Sequence, residues 1–232
     1  MIQMSYLAPI LALAGLAACG QEAPVPPAAQ ASEGAAVAAI PADAPVVLAF
    51  GDSLYAGYQL DPGQSYPARL ETALNAGGMA VRFVNGGVSG DTTAAGLQRL
   101  AFTLDNQAVR PALVMVGLGG NDMLRGLSPE ETASNLDAIC AELDKRGIPF
   151  MLTGLYAAPN LGADYGEQFN AIYPSLARKY DVPLVPFLLE TVVGKPDLML
   201  PDAIHPNAAG IDRIVAATKS DVEQAVKGAL AS

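Results

Sequence analysis

One histidine, two cysteines and 13 basic residues are all that this 232-residue sequence holds of those types, and each scarcity excludes something. A single histidine without a CxxC pattern leaves too few ligands for a metal hydrolase. Two cysteines, Cys19 and Cys140, cannot build a disulfide framework. With 13 Lys and Arg against 23 Asp and Glu, the formal net charge is −10, and no basic cluster exists to meet nucleic acid or an anionic lipid surface. GxGxxG and P-loop patterns are missing, as is any internal repeat.

What is there suits one domain with a proper core. The composition is 51% hydrophobic and 16% charged, as expected of a globular α/β chain. The opening stretch, "MIQMSYLAPILALAGLAAC", carries an apolar run from Tyr6 to Ala18, too short for a comfortable membrane span and right for the h-region of a signal. No Lys or Arg precedes that run. It ends in "LAAC", which resembles the lipobox of bacterial lipoproteins, so residues 1–19 read as a signal with Cys19 as the lipidated residue; cleavage as an ordinary secretory signal is the alternative. Several acyl chains on Cys19 would anchor the protein stably to a membrane, which one chain alone does not. The protein is expected to be exported, periplasmic or lipid-anchored at the outer membrane; Gly20 after Cys19, rather than an aspartate, fits the usual sorting pattern for the outer membrane of a two-membrane bacterium. Residues 20–45 are rich in Ala and Pro and read as a disordered tether, leaving 46–232 as the folded domain.

Within the domain, apolar runs at 46–50, 81–85, 112–118, 148–154 and 183–186 are continuous rather than alternating, the signature of strands buried on both faces of a parallel sheet. Helical segments fall between them. The clearest is "SPEETASNLDAICAELDKRG": Ser128 as N-cap, Pro129 in the first turn, Glu131 closing a capping box and Gly147 ending the helix. Cys140 shares a face with Leu136, Ile139 and Leu143 and reads as a core residue. A second helix, from about Tyr165 to Tyr180, is expected to bend or restart at Pro174, and a third follows Pro206 with Ile211, Ile214, Val215, Val222 and Val226 on one face. This alternation predicts a three-layer α/β/α sandwich around a five-stranded parallel sheet.

Three polar, glycine-containing turns follow the first three strands: "GDS", "GGVSGDTT" and "GGND". If the strand order is 2-1-3-4-5, they share one rim at the carboxyl ends of the strands, and Ser53 stands between Gly90 and Asn121. Taken alone, Ser53 is either a turn residue or a nucleophile. The only histidine, His205, lies in "LPDAIHPNAAG", with Asp202 three residues ahead on the same loop, where a carboxylate can take the Nδ1 proton and orient the ring. Pro206 pushes His205 toward an extended backbone that presents the ring. Serine, aspartate and histidine thus follow the order of α/β hydrolases, without their GxSxG elbow. Asp52, Asp91 and Asp122 read as turn or cap residues, and Tyr55 and Tyr58 as helix packing.

The segments "FGDSLYAGY", "VNGGVSGDTTAAGLQRL", "GLGGNDMLRGLSPEET" and "DAIHPN", in this order, resemble the SGNH, or GDSL, hydrolases and among them the bacterial thioesterase, lysophospholipase and arylesterase branch. The resemblance spans about residues 46–207. It implies a flavodoxin-like SGNH fold, Ser53 as nucleophile, His205 as base and Asp202 as its orienting acid. It further implies an oxyanion hole from the backbone N–H of Ser53 and Gly90 and the side chain of Asn121, and no metal or cofactor. In that reading the substrate is a carboxylic ester or thioester of an acyl chain, partly covered by the stretch 155–169. A carbohydrate O-acetylesterase on the same fold and a non-catalytic surface lipoprotein are the alternatives. Ala203 stands where the family usually has glycine, so the acid loop is expected to keep ordinary backbone angles or to tolerate a small adjustment.

Overall fold

Five runs of apolar residues do become strands, each nearly where its sequence places it. The computed structural model describes residues 40–231; the expectations about residues 1–19, Cys19 and most of the tether lie outside the described residues. The strands are β1 (Val46–Gly51), β2 (Arg82–Asn85), β3 (Leu113–Gly117), β4 (Phe150–Thr153) and β5 (Leu184–Val185). They form one all-parallel sheet in the order β2-β1-β3-β4-β5. Every residue of β1, β3 and β4 is buried, which is why these runs carry no polar alternation, whereas the edge strand β2 is partly exposed. Packing begins before β1: Ala44 is buried, and Pro45 accepts a hydrogen bond from Arg82 N–H (2.9 Å) that extends the pairing with β2.

The helices are α1 (Ser53–Ala56), α2 (Tyr66–Ala76), α3 (Thr93–Asp105), α4 (Gly120–Leu124), α5 (Pro129–Lys145), α6 (Ala163–Tyr180) and α7 (Ala208–Ala231). α2 packs against α7, tied by the buried hydroxyls of Tyr66 and Thr218 at 2.8 Å, and α5 packs against both α3 and α6. Two helical layers enclose the sheet, giving the α/β/α sandwich. The buried face of α7 includes all five residues that its sequence spacing picks out. Cys140 is fully buried in α5, and burial pushes its thiol up to about 12, an inert core position.

Two helix details depart from expectation. α6 passes through Pro174 as a single element. The lost N–H costs one local bond, but Phe169, Ile172 and Tyr173 before it and Leu176 after it are all buried, and the Tyr173 hydroxyl donates to Leu118 O (2.8 Å). That anchoring on both sides outweighs the local cost. At α5, Ser128 Oγ accepts from Glu131 N–H (3.1 Å) as a cap, but among the described residues no bond returns from the exposed Glu131 carboxylate, so the box is half formed.

Candidate active site

β1 lies between β2 and β3, so strand order reverses beside it, and its carboxyl end is where an open α/β sheet gathers its ligands. The chain leaves β1 through Asp52, whose buried carboxylate caps α1 by accepting from Leu54 N–H (3.0 Å). Burial, opposed by that N–H and helped by the carboxylates of Asp122 and Asp91, pushes Asp52 up to about 7. Ser53 is the first residue of α1, mostly buried, with its hydroxyl turned toward the far end of the sequence. There His205 Nε2 meets Ser53 Oγ at 2.8 Å, and His205 Nδ1 meets Asp202 Oδ2 at 2.7 Å. Residues 152 positions apart are thereby placed in one hydrogen-bonded line.

The acid loop is held from both sides. Leu200 N–H donates to His205 O (2.7 Å), Met199 bridges Pro206, and Asn207 caps α7 by accepting from Gly210 N–H (3.0 Å). Asp202 Oδ1 accepts from both Ile204 N–H (2.9 Å) and His205 N–H (3.0 Å). Burial acts to raise the Asp202 carboxyl, but the His205 backbone and ring bonds and the Ile204 bond prevail and bring it down to about 2. The expected ordinary backbone at position 203 is not found: Ala203 has φ 57, in the left-handed region. Folding two consecutive N–H groups back onto one carboxylate oxygen demands this turn, and the alanine adopts it at a cost of about 1–2 kcal/mol.

The second and third turns meet Ser53 at the rim. Gly90 has φ 89, and an added Cβ there would find nothing closer than Arg125 Nη2 at 3.7 Å. Its glycine is therefore required by conformation rather than by space. Among the described residues, neither Ser53 N–H nor Gly90 N–H has an acceptor. Asn121 spends one amide N–H on Asp91 O (3.0 Å) and keeps a second, and Ser53, Gly90 and Asn121 all line one cavity. The neighbouring charges are scaffolding: Asp52 makes the expected cap, whereas Asp91 and Asp122 bond to distant groups rather than to a local turn. Asp122 accepts from Thr93 N–H (2.8 Å) and Oγ1 (2.5 Å), Asp91 pairs with Arg99 Nε (2.6 Å), and Arg99 Nη2 donates to Gly51 O (2.9 Å). Arg99 thus staples the end of β1 to the loop carrying Gly90, a role not legible in its spacing.

The cavity measures about 670 Å³ and has mainly apolar walls. Leu155 to Pro159 form one side, within the stretch expected to cover an acyl group, and Tyr156 stacks on Phe187 (centroids 4.7 Å apart). Tyr55 is buried, with its hydroxyl 2.9 Å from Thr153 Oγ1, and is packing as expected. Tyr58 is not: 37% exposed, it lies against the His205 ring at a centroid distance of 4.4 Å and lines the cavity.

A hydroxyl that can pass its proton to an imidazole already held by a carboxylate defines the class: this is a serine hydrolase on a doubly wound sheet. Within that class the chain belongs to the GDSL-like Lipase/Acylhydrolase family, whose sequence profile matches residues 49–213. An arylesterase of Vibrio mimicus is 42% identical over 160 residues, 69% of this chain and 79% of that protein. Thioesterase 1/protease 1/lysophospholipase L1 of Escherichia coli K12 is 40% identical over 166 residues, 72% of this chain and 77% of that one. The crystal structure of AlinE4, an SGNH-hydrolase family esterase, is 57% identical and superposes with a TM-score of 0.68 over 79% of this chain and 97% of that one.

Proposed function

We propose that the protein hydrolyses carboxylic esters and thioesters of acyl chains through an acyl-enzyme on Ser53. The observation that carries this is the line Asp202–His205–Ser53, closed at 2.7 and 2.8 Å at the mouth of an apolar cavity. Asp202, ionised because its donors outweigh burial, takes the Nδ1–H bond and leaves Nε2 free to accept the Ser53 proton. Ser53 Oγ then attacks the carbonyl carbon, and the charge that develops on its oxygen meets the N–H groups of Ser53, Gly90 and Asn121. His205 returns the proton to the departing alkoxide or thiolate, and water repeats the sequence to release the acid.

The apolar walls favour an acyl chain over a sugar, which would ask for a lining of hydrogen-bonding groups. The named activities of the relatives, an arylesterase and a thioesterase/lysophospholipase, suggest aryl, thio and lysophospholipid esters as the first substrates to try. A panel of these esters over acyl lengths from acetyl to palmitoyl, with Ser53→Ala as control, tests the reading. Hydrolysis confined to acetylated sugars, or undiminished in Ser53→Ala, overturns it.

On the sequence alone we also propose export and a lipid anchor at Cys19, with the domain held by the tether that follows; no nucleic acid or obligate protein partner is expected. Among the described residues no helix is long and apolar enough to cross a membrane. Incorporation of radiolabelled palmitate that persists in Cys19→Ala would refute the anchor.

A further inference from the structure

We propose that Tyr58 is a positioning residue for the reaction: its ring holds the His205 imidazole in line with Ser53 and Asp202 and stabilises the imidazolium formed in the attack. This rests on the assignment of His205 as the base. The two ring centroids are 4.4 Å apart with planes tilted by 35°, well within the ~6 Å over which an aromatic face attracts a cation. Asp202 and Ser53 restrain the imidazole at its two nitrogens, both within the ring's edge. The Tyr58 ring packed against it adds a third restraint on its orientation.

The backbone around the pair is built for this contact. Among the described residues, three non-glycine residues have positive φ: Gln59, Asp181 and Ala203. Asp181 caps the end of α6, an ordinary place for one. The other two adjoin the paired rings, Gln59 next to Tyr58 and Ala203 two residues before His205. Tyr58 also follows Gly57 (φ 81), where an added Cβ would lie 2.7 Å from Ser65 Cβ. The chain therefore passes through two left-handed residues to turn Tyr58 outward, and Gln59 Nε2 then donates to its hydroxyl (3.1 Å). Conformations that L residues avoid persist where surrounding contacts over-determine them, and here they bracket one contact.

The Asp202 carboxylate stabilises the imidazolium at Nδ1 (2.7 Å), and the Tyr58 ring adds to it as the aromatic partner of the imidazole among the described residues. The titratable and charged groups against His205 are Asp202 from its own loop and Ser53 and Tyr58 from the turn after β1. The crevice beneath is otherwise lined by Leu54, Gly57, Leu60, Pro206 and Ile211, none of which ionises. Tyr58 is the aromatic ring that packs on the imidazole, with centroids 4.4 Å apart and planes tilted by 35°.

Because His205 is the only histidine, its ring signals in an NMR titration are unambiguous. The full-length protein, Tyr58→Phe and Tyr58→Leu are compared by kcat and KM on an aryl acetate across pH, by that titration and by Tm. Tyr58→Phe keeps the ring and stays within about twofold of wild type. Tyr58→Leu lowers kcat about 5- to 10-fold with little change in KM, and moves the acid limb and the imidazole midpoint down together by about half a pH unit. A Leu variant that loses Tm but keeps midpoint and kcat has lost only packing, and the proposal falls. It falls equally if Tyr58→Phe is as impaired as Tyr58→Leu, or if the loss lies in KM. Should Tyr58→Leu fail to fold, ring-to-ring contacts between Tyr58 and His205 in wild-type NMR decide, and their absence overturns it. Full activity in Ser53→Ala would sink the serine mechanism, while the NMR arm still reports on the ring contact alone.

Discussion

Replacing Asp202 by asparagine removes a charge and almost nothing else, and the structure says which way the new amide must face. Oδ1 of Asp202 accepts from two backbone N–H groups, at 2.9 and 3.0 Å, so the amide oxygen is held there and the NH₂ is turned to His205 Nδ1. Facing a donor, the imidazole must carry its proton on Nε2, where it can no longer accept from Ser53. Reversing the amide restores the productive tautomer but sets NH₂ against two backbone donors, at a cost of about 2–3 kcal/mol for two lost hydrogen bonds. That is about two decades in rate, at 1.36 kcal/mol per decade. Loss of the carboxylate opposite the imidazolium adds a further one to two decades, fewer than in a buried triad because the Asp202 side chain is 33% exposed and water screens part of the charge. Asp202→Asn should therefore lower kcat on an aryl acetate by about 10³- to 10⁴-fold, with KM and Tm nearly unchanged. A loss below tenfold in a folded variant would refute the orienting role of Asp202.

Other perturbations reach other parts of the site. Asn121→Ala should cost about 10²–10³ in kcat with little change in KM, measured by steady-state hydrolysis; an unchanged kcat would remove Asn121 from the oxyanion hole. Asp52, raised to about 7 from an ordinary 3.8, binds its proton more tightly folded than unfolded. Its contribution to stability is full below about pH 4 and lost as pH rises to about 7, on the order of 4 kcal/mol at 1.36 kcal/mol per unit. Urea unfolding of wild type and Asp52→Asn should thus diverge between pH 4.5 and 8 in favour of the variant; parallel curves would contradict the buried proton. Ala203→Gly relieves a left-handed alanine and should raise Tm by about 1–3 °C, the gain in strain being partly offset by the looser unfolded chain; a lower Tm would mean the turn is not strained.

The strands were legible because a sheet covered on both faces writes itself as unbroken apolar runs, and all five appear within a few residues of those runs. Ser53, Gly90 and Asn121 were legible for a topological reason: each follows one of the three adjacent strands, so any parallel sheet in this order brings them together. Asp202 and His205 came from their spacing on one loop. Tyr58 was not legible, because whether an aromatic residue packs inward or lies on a distant ring depends on a contact across 147 positions, which no local pattern encodes. The same holds for Ala203, whose left-handed turn is imposed by what Asp202 must accept, and for Arg99, whose partners lie on β1 and in the Gly90 loop. Pro174 misled for the opposite reason: its local penalty is real, and long-range burial on both sides overrides it.

The central claim is that Ser53, activated by His205, is the atom that takes the acyl group. Treatment of the full chain with a fluorophosphonate, followed by mass spectrometry of its peptides, tests this most directly. One phosphonyl group on the peptide containing Ser53 is expected, with none on Ser53→Ala and strongly slowed labelling of Asp202→Asn. A folded wild-type protein that stays unlabelled, or carries the label on another residue, would contradict the account.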